Sequence, residues 1–222
     1  TADNGDFTGK TGTATIPAGL DSTSVTISST EDPIDEPDET FFVNLSSPTN
    51  ATLNDSQGQG TIQDDDDPPT ASIASAEATE GNNINLTVTL SQYSSFVVSV
   101  PYSTSISLGS ATTSDFISEY ATITIPAGQT QGTVTIATVN DTLDEDDETF
   151  AVIVDPLLIG KPIGPLDPGD TWAVAIIRDD DDPPTISIGD ISASEGDNLE
   201  FPVSLSAASS FQIMVQYSTT VG

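Results

Sequence analysis

Two identical acidic runs are the residues of this sequence best suited to chemistry. Asp64, Asp65, Asp66 and Asp67 are followed by Pro68-Pro69-Thr70, and the same seven letters return from Asp179 to Thr185. Neighbouring carboxylates about 5 Å apart repel by roughly 3 kcal/mol per pair at an effective dielectric of about 20. A folded site that gathers such groups therefore needs cations, and hard ions that prefer oxygen ligands suit it.

The charge balance restricts the possible partners in the same direction. The chain has 35 acidic residues against Lys10, Lys161 and Arg178, and its net charge is −32. DNA, RNA and anionic membrane surfaces all require a basic face, so we expect the protein to bind none of them. Calcium or another hard cation is the expected partner.

The residue types that are missing exclude most catalytic chemistry. Cysteine and histidine are both absent, which removes disulfides, thiol and zinc chemistry, imidazole bases and a serine triad. A carboxylate-pair glycosidase usually needs aromatic sugar platforms, yet only 6% of the residues are aromatic. We therefore expect no enzymatic activity. No apolar run approaches the roughly 18 residues of a membrane span, so we expect no membrane insertion.

Alternation of apolar and polar residues predicts half-buried strands throughout the chain. Turn sequences such as Pro126-Ala127-Gly128 separate these strands at short intervals. Short strands at this spacing predict a two-sheet sandwich, with Trp172 in its core. In the central part of the chain, the predicted strands lie near 70–75, 84–91, 96–104, 119–125, 131–139, 147–155 and 171–178.

An internal repeat defines the domain organisation. Residues 70–102 align without gaps with 185–217, at an offset of 115, and Ile16-Pro17-Ala18-Gly19 returns 109 residues later at Ile125. The two offsets place the extra residues of the central copy in the loop 157–170. We interpret 1–67 as the C-terminal half of a module, 68–182 as a complete module and 183–222 as an N-terminal half.

The motifs and their order resemble the Calx-beta family. They are Ala78-Thr79-Glu80-Gly81, Ser114-Asp115-Phe116, Ile125-Pro126-Ala127-Gly128, the acidic hairpin 140–150 and the closing run 179–182. The resemblance implies an all-β fold of tandem immunoglobulin-like β-sandwiches with seven strands each. It also implies calcium at one end of each sandwich.

The resemblance further implies the ligands of each site. In the central module they are Glu80, Asp115, Asp141, Glu145, Glu148, Asp179, Asp180, Asp181 and Asp182, with the Leu143 carbonyl as a backbone ligand. In the divided module they are Glu195, Asp6, Asp32, Glu36, Glu39, Asp64, Asp65, Asp66 and Asp67. Asn140 and Glu31 stand where some family members carry another acid. The alternative is a solvated acidic surface without an ion, which is how most charge runs behave.

Five sequons suggest sugar attachment in an extracellular setting, although polar surface loops are the simpler interpretation. The acceptor residues are Asn44, Asn50, Asn54, Asn85 and Asn140.

The sequence favours a structural role outside the cell or at its surface. We expect a calcium-rigidified repeat of a fibre, adhesin or matrix protein. One alternative is a binding module that recognises a cell-surface or glycan partner. Another is a calcium sensor, which would need an affinity in the micromolar range or tighter, whereas a spacer in a calcium-rich exterior can bind weakly.

The two half modules predict head-to-tail association. Tyr217 to Gly222 followed by Thr1 to Phe7 reads like the segment from Tyr102 to Phe116, with a shorter loop. A composite sandwich of this kind, formed by successive copies, would propagate as an open filament. A longer covalent array fits the junction equally well. This chain would then be one period of the array and a mature piece of a longer protein.

Overall fold

The computed structural model describes residues 1–154 and 171–221, and within these ranges the fold consists of strands without helices. The all-β prediction is therefore confirmed. No helix in the described ranges is long and apolar enough to cross a membrane. The predicted insertion at 157–170 and Lys161 lie outside the described residues.

Twelve strands are present in the described residues. They are β1 Glu39–Asn44, β2 Gln57–Ile62, β3 Ala71–Ile73, β4 Ala76–Thr79, β5 Asn83–Leu90, β6 Val98–Ser105, β7 Tyr120–Ile125, β8 Gln131–Ala137, β9 Glu148–Val154, β10 Trp172–Arg178, β11 Ile186–Ile188 and β12 Val203–Leu205.

The central module is a sandwich of two sheets. One sheet has the strand order β4-β10-β9-β6-β7, and the other has the order β3-β5-β8. The alternation in β5 explains the layering, because Ile84, Leu86 and Val88 are buried while the residues between them are exposed. These side chains meet Val134 and Ile136 of β8 and the inner face of the other sheet in one core. Burial of this core holds the two sheets together.

The structure divides the first predicted strand of the module between the two sheets. β3 pairs antiparallel with β5, whereas β4 pairs parallel with β10. The switch lies between Ala74, whose N–H still donates to Thr87, and Ser75, whose Oγ accepts the N–H of Val174. Each sheet gains one short edge strand in this way. Eight strands result where sequence periodicity indicated seven.

The prediction that Trp172 belongs to the core is wrong. Its side chain is 44% exposed. In β10 the inward positions are Ala173, Ala175 and Ile177, so Trp172 has the outward parity of the strand. A large aromatic side chain alone did not reveal this parity.

The terminal units repeat parts of this sandwich in the same register. β1 pairs with β2 from Glu39↔Ile62, as β9 pairs with β10 from Glu148↔Ile177. β11 and β12 pair as β3 and β5 do. Segments 11–16 and 22–28, the counterparts of β7 and β8, form no ladder among the described residues. Their partners in a complete module are β6 and β5, whose counterparts belong to the C-terminal unit.

The terminal units also expose the apolar positions that form the core of the central module. Leu86 is fully buried, but its counterpart Phe201 is 53% exposed. Val134 is fully buried, whereas its counterpart Val25 is 49% exposed. Each terminal unit therefore exposes apolar side chains at positions that are buried in the central module, which monomeric proteins rarely do.

The pair Leu86 and Phe201 provides a test of this difference. We expect Leu86→Ala to lower the free energy of unfolding of the central module by about 2 to 5 kcal/mol, because it leaves a cavity. Phe201→Ala should change it by less than about 0.5 kcal/mol, because the side chain is half exposed in the single chain. Denaturant unfolding followed by Trp172 fluorescence measures both effects. Equal losses in the two variants would contradict the assignment of the core.

Candidate metal centre

Strand pairing brings acids from separate segments to one end of the central sandwich. β4 and β10 run parallel, and Thr79 pairs with Arg178 at their ends. The residues that follow, Glu80 and Asp179, therefore emerge side by side. β9 runs antiparallel to β10, so its first residue, Glu148, lies opposite Ile177 at the same edge. The hydrogen-bond ladder itself assembles three carboxylates.

A buried aromatic pair positions the loop that carries Asp115. The ring of Phe116 is fully buried and stacks on Phe150 of β9, with ring centroids 3.8 Å apart. The Asp115 carbonyl accepts the N–H of Val139 at 2.8 Å. The Thr112 hydroxyl donates to the Asp115 carboxylate at 2.9 Å. Asp115 is thus held against the start of the acidic hairpin.

The acidic hairpin is itself shaped by its side chains. The N–H of Leu143 donates to Asp141 Oδ1 at 2.7 Å, which forms an Asx turn. The N–H of Asp141 approaches Glu80 Oε1 at 3.4 Å, which links the hairpin to the end of β4. Gly81 next to it has a φ of +73°, and a Cβ there would lie 2.7 Å from Asn140 Oδ1. Glycine is therefore required at this turn.

The carboxylates of the central module form two groups. Glu80, Asp179 and Asp181 form one, and Asp115, Glu145 and Glu148 form the other; in each group, one oxygen per residue lies within 4.8 Å of the others. The cleft next to them is lined by residues of both groups together with Asp141, which is also a predicted ligand, and Asp146. Most of the predicted side-chain ligands therefore converge in space. The Leu143 carbonyl stays a prediction.

The closing run of aspartates contributes only its alternate members. Asp179 and Asp181 are partly buried in the first group, whereas Asp180 and Asp182 are exposed and belong to neither group. An extended chain explains this, because successive side chains point to opposite sides. Asp64 and Asp66 of the earlier run are likewise partly buried, while Asp65 and Asp67 are exposed.

Burial and mutual repulsion raise the pKa values of the glutamates in the cleft. Burial raises the pKa of Glu80 to about 7, against the opposing N–H of Asp141 and with help from the charges of Asp141, Asp181 and Asp179. Burial and a hydrogen bond with Asp115 raise the pKa of Glu148 to about 7. For Asp115, burial acts to raise the pKa, but hydrogen bonds from Thr112, Glu148 and Ser114 outweigh it and lower the pKa. Near neutral pH, the folded cleft therefore holds protons that a cation would displace.

Two buried carboxylate oxygens give the strongest indication of a bound cation. Among the described residues, neither Asp179 Oδ1 nor Asp181 Oδ2 has a hydrogen-bond partner. A buried charged oxygen without a partner is costly, and a metal ion would supply the missing interaction. Arg178 does not, because its guanidinium pairs with Glu77 and Asp147. The donors available are all oxygens, as Ca²⁺ requires, and two adjacent groups suit its 6 to 8 ligands better than the octahedron of Mg²⁺.

The N-terminal unit repeats the second group at the offset of 109 residues. Asp6, Glu36 and Glu39 correspond to Asp115, Glu145 and Glu148, and one oxygen of each likewise lies within 4.8 Å of the others. Phe7 stacks on Phe41 as Phe116 does on Phe150. The cleft beside this group is also lined by Asp32, Asp64, Asp65 and Asp66.

Two predicted ligands of the divided module do not join this cleft within the described residues. Asp67 is exposed and lies beyond its lining. Glu195 is exposed in the C-terminal unit. Gly196 after it has a φ of +91°, which resembles the turn at Gly81 after Glu80. The counterpart of the Glu80 group is therefore incomplete in a single chain.

Sequence reasoning missed two pairs of acids in the hairpins. Asp35 and Asp144 are buried, although neither belongs to an acidic group. Asp38 and Asp147 accept the N–H groups of Asp64 and Asp179 at 3.2 and 3.3 Å, which anchors the start of each acidic run. Each pair is separated by 109 residues, so the repeat offset was the available signal.

The sequon asparagines are all exposed, which leaves glycosylation a prediction. Asn44 and Asn85 accept hydrogen bonds from Gln57 and Thr135 on neighbouring strands. Asn140 lies over Gly81, the residue after Glu80 of the candidate metal site.

The raised pKa values predict how metal-free stability depends on pH. In the unfolded chain Glu80 and Glu148 have pKa values near 4.5, but in the folded chain these are about 7. The folded state therefore binds more protons between these values, and its stability falls as pH rises through about 7. Thermal unfolding in excess chelator should show a Tm that falls from about pH 5 to about pH 8. In Glu80→Gln this fall should be smaller. A Tm that rises over this range would contradict the prediction.

The alternation along the closing run provides a matched pair of variants. We expect Asp179→Asn with Asp181→Asn to weaken calcium binding at least tenfold, because both orphan oxygens lose their charge. Asp180→Asn with Asp182→Asn removes the same charge from exposed positions and should change the affinity less than threefold. Titration calorimetry measures both. Equal effects would show that general charge, rather than the cleft, attracts the ion.

A protein-family model matches most of this chain. The Calx-beta domain family matches residues 1–66 and again 64–181. No curated protein sequence matches the chain. Solved structures that resemble it include "Crystal structure of CBD12 from CALX1.2", with 21% identity over 55% of this chain and 48% of that chain and a TM-score of 0.44. They also include "Crystal structure of Apo-form Calx CBD1 domain", with 20% identity over 50% of this chain and 99% of that chain and a TM-score of 0.37.

The two family matches together span more than three quarters of the chain and meet at the first acidic run. Calx-beta is a calcium-binding domain family, which agrees with the chemistry of the cleft. The chain belongs to the Calx-beta family.

Proposed function

We propose that this chain is a non-catalytic structural repeat whose sandwiches are rigidified by calcium, in a fibre or matrix outside the cell or at its surface. The observation that carries the proposal is the pair of buried oxygens on Asp179 and Asp181 that have no partner among the described residues. They lie between carboxylates from separate segments of one sandwich end.

Calcium would act by joining segments that otherwise repel one another. The first group joins the ends of β4 and β10, and the second joins the Asp115 loop to the hairpin and β9. An ion shared by such groups replaces repulsion with attraction and ties loops to strands. The result is a stiffer sandwich end at the point where the chain leaves for the next unit.

An exterior location is consistent with the chemistry of the chain. A net charge of −32 keeps the protein soluble and repels anionic surfaces. Sites of weak affinity are filled where calcium is abundant, so a spacer needs no tight site. Exposed sequons are compatible with glycans, which we include in the proposal as surface modifications.

We further propose that the segment 183–222 completes the segment 1–67 of a following copy. Each presents an uncovered apolar face and strand sequences whose partners occur in the other. Joining them would also bring Glu195 to Asp64 and Asp66, as Glu80 meets Asp179 and Asp181 in the central module. The copies join head to tail, as separate chains or within a covalent array.

Chelation tests the calcium part of the proposal. Excess chelator should lower the Tm of the full chain, because binding at free calcium about 100 times Kd contributes about 2.7 kcal/mol of stability. Differential scanning calorimetry measures the shift at constant ionic strength. A Tm that does not change would refute the role of calcium, and an affinity in the micromolar range or tighter would favour a sensor over a spacer.

Sedimentation velocity tests head-to-tail association. We expect the full chain in calcium to form oligomers that grow with concentration. Val203→Asp should prevent them, because it places a charge on the exposed apolar face of β12. Ser204→Asp, on the opposite side of the same strand, should leave them intact. Oligomers that persist in Val203→Asp would contradict the composite sandwich, and denaturing electrophoresis of the native material separates individual chains from a covalent array.

A further inference from the structure

The acidic hairpin of the N-terminal unit contacts the central module through one buried aspartate. Asp35 is 3% exposed. Its Oδ2 accepts the hydroxyl of Ser94 at 2.8 Å, and its carbonyl accepts the N–H of Ser95 at 3.1 Å. Ser94 and Ser95 lie in the loop between β5 and β6, so these bonds connect two consecutive units.

The same contact occurs a second time along the chain. Asp144, which is 109 residues after Asp35, accepts the hydroxyl of Ser209 on Oδ2 at 2.8 Å. Its carbonyl accepts the N–H of Ser210 at 3.0 Å. The two junctions use the same atoms, although their serines are related by the other offset of 115 residues. The aspartates and the serines thus repeat at different offsets, yet they meet at both junctions. The contact is therefore a property of the junction between two units, not of one unit alone.

Local hydrogen bonds orient each serine toward its aspartate. Ser94 Oγ accepts the N–H of Phe96 at 3.1 Å, and Ser209 Oγ accepts that of Phe211 at 3.2 Å. The accepted N–H leaves the hydroxyl proton free to point at the carboxylate. The Ser94 carbonyl also accepts the N–H of Gly128 at 2.9 Å, which ties the loop to the turn after β7.

The contact is separate from the candidate metal groups. Asp35 and Asp144 lie within the hairpins but belong to neither kind of acidic group. Their carboxylates bind the following unit, whereas Glu36 and Glu145 beside them face the clefts. An ion and a serine therefore do not compete for the same oxygens.

We propose that the buried hairpin aspartate and the Ser-Ser pair of the following unit form a junction clasp, the surface by which each module docks onto the next and holds a fixed angle to it. A charge-assisted hydrogen bond in a buried position is strong and directional. Together with the stiff Pro68-Pro69 linker, it restricts the relative motion of consecutive modules. The partner is any module of this kind that carries a serine pair before its counterpart of β6.

Spin-label distances across the first junction test the clasp. The chain contains no cysteine, so Gln59→Cys on β2 and Thr133→Cys on β8 give two unique labelling sites at exposed positions. We expect a single narrow distance distribution in the otherwise unchanged chain with saturating calcium. Ser94→Ala should widen it about twofold, and Ser94→Asp should widen it further, because the new carboxylate faces Asp35.

Ser118→Asp is the matched control, because it adds the same charge at an exposed position of the central module. It should leave the distribution narrow. Trp172 fluorescence verifies that the sandwich folds in each variant. A narrow distribution in folded Ser94→Asp, or an equal widening in Ser118→Asp, would overturn the clasp.

The junction clasp rests on the proposed function only where the clasp joins further copies of the chain. One more measurement distinguishes failure of the clasp from failure of the calcium proposal. Calcium titration of the Ser94 variants should give the stoichiometry and affinity of the unchanged chain. A widened distribution with unchanged calcium binding supports the clasp, and lost calcium binding in Ser94→Ala would refute its separation from the metal groups. A chain that binds no calcium but shows the same widening refutes the calcium proposal and leaves the clasp standing.

Discussion

Repulsion among carboxylates at one end of the sandwich is the constraint on which the rest of the structure depends. Backbone ladders place Glu80, Asp179 and Glu148 together regardless of their charge. Folding therefore assembles a site that opposes its own formation, and burial together with this repulsion raises the pKa values of Glu80 and Glu148 to about 7. A cation bound there would relieve the repulsion and satisfy the buried oxygens of Asp179 and Asp181. Under the proposed function, stability and ion binding are therefore coupled.

The repeats divide the acids of each hairpin between two surfaces. Each acidic hairpin faces its own cleft with Glu36 or Glu145 and the following unit with Asp35 or Asp144. In the proposed account, an ion binds the carboxylates that face the cleft, while serine hydroxyls bind Asp35 and Asp144. The apolar side chains that the terminal units leave uncovered fit the same proposed linear arrangement, because their counterparts in the central module are buried.

Much of the fold and most of the candidate ligands were predictable from the sequence, because alternation in strands such as β5 reports burial directly. The resemblance to the Calx-beta family indicated the acids, most of which lie in the clefts. The predicted ligand set contained Asp180 and Asp182, because it did not take into account that side chains alternate in direction along an extended run. The structure exposes both residues. The sequence did not predict the switch between β3 and β4, because it depends on which sheet each strand pairs with. The outward parity of Trp172 and the burial of Asp144 likewise depend on tertiary contacts.

Anomalous diffraction from crystals grown with calcium tests the central claim most directly, because it locates the ion rather than its consequences. The account predicts anomalous peaks between Glu80, Asp179 and Asp181, and between Asp115, Glu145 and Glu148, with oxygen distances of about 2.3 to 2.6 Å. Crystals that contain calcium but show no peak in either group would contradict it.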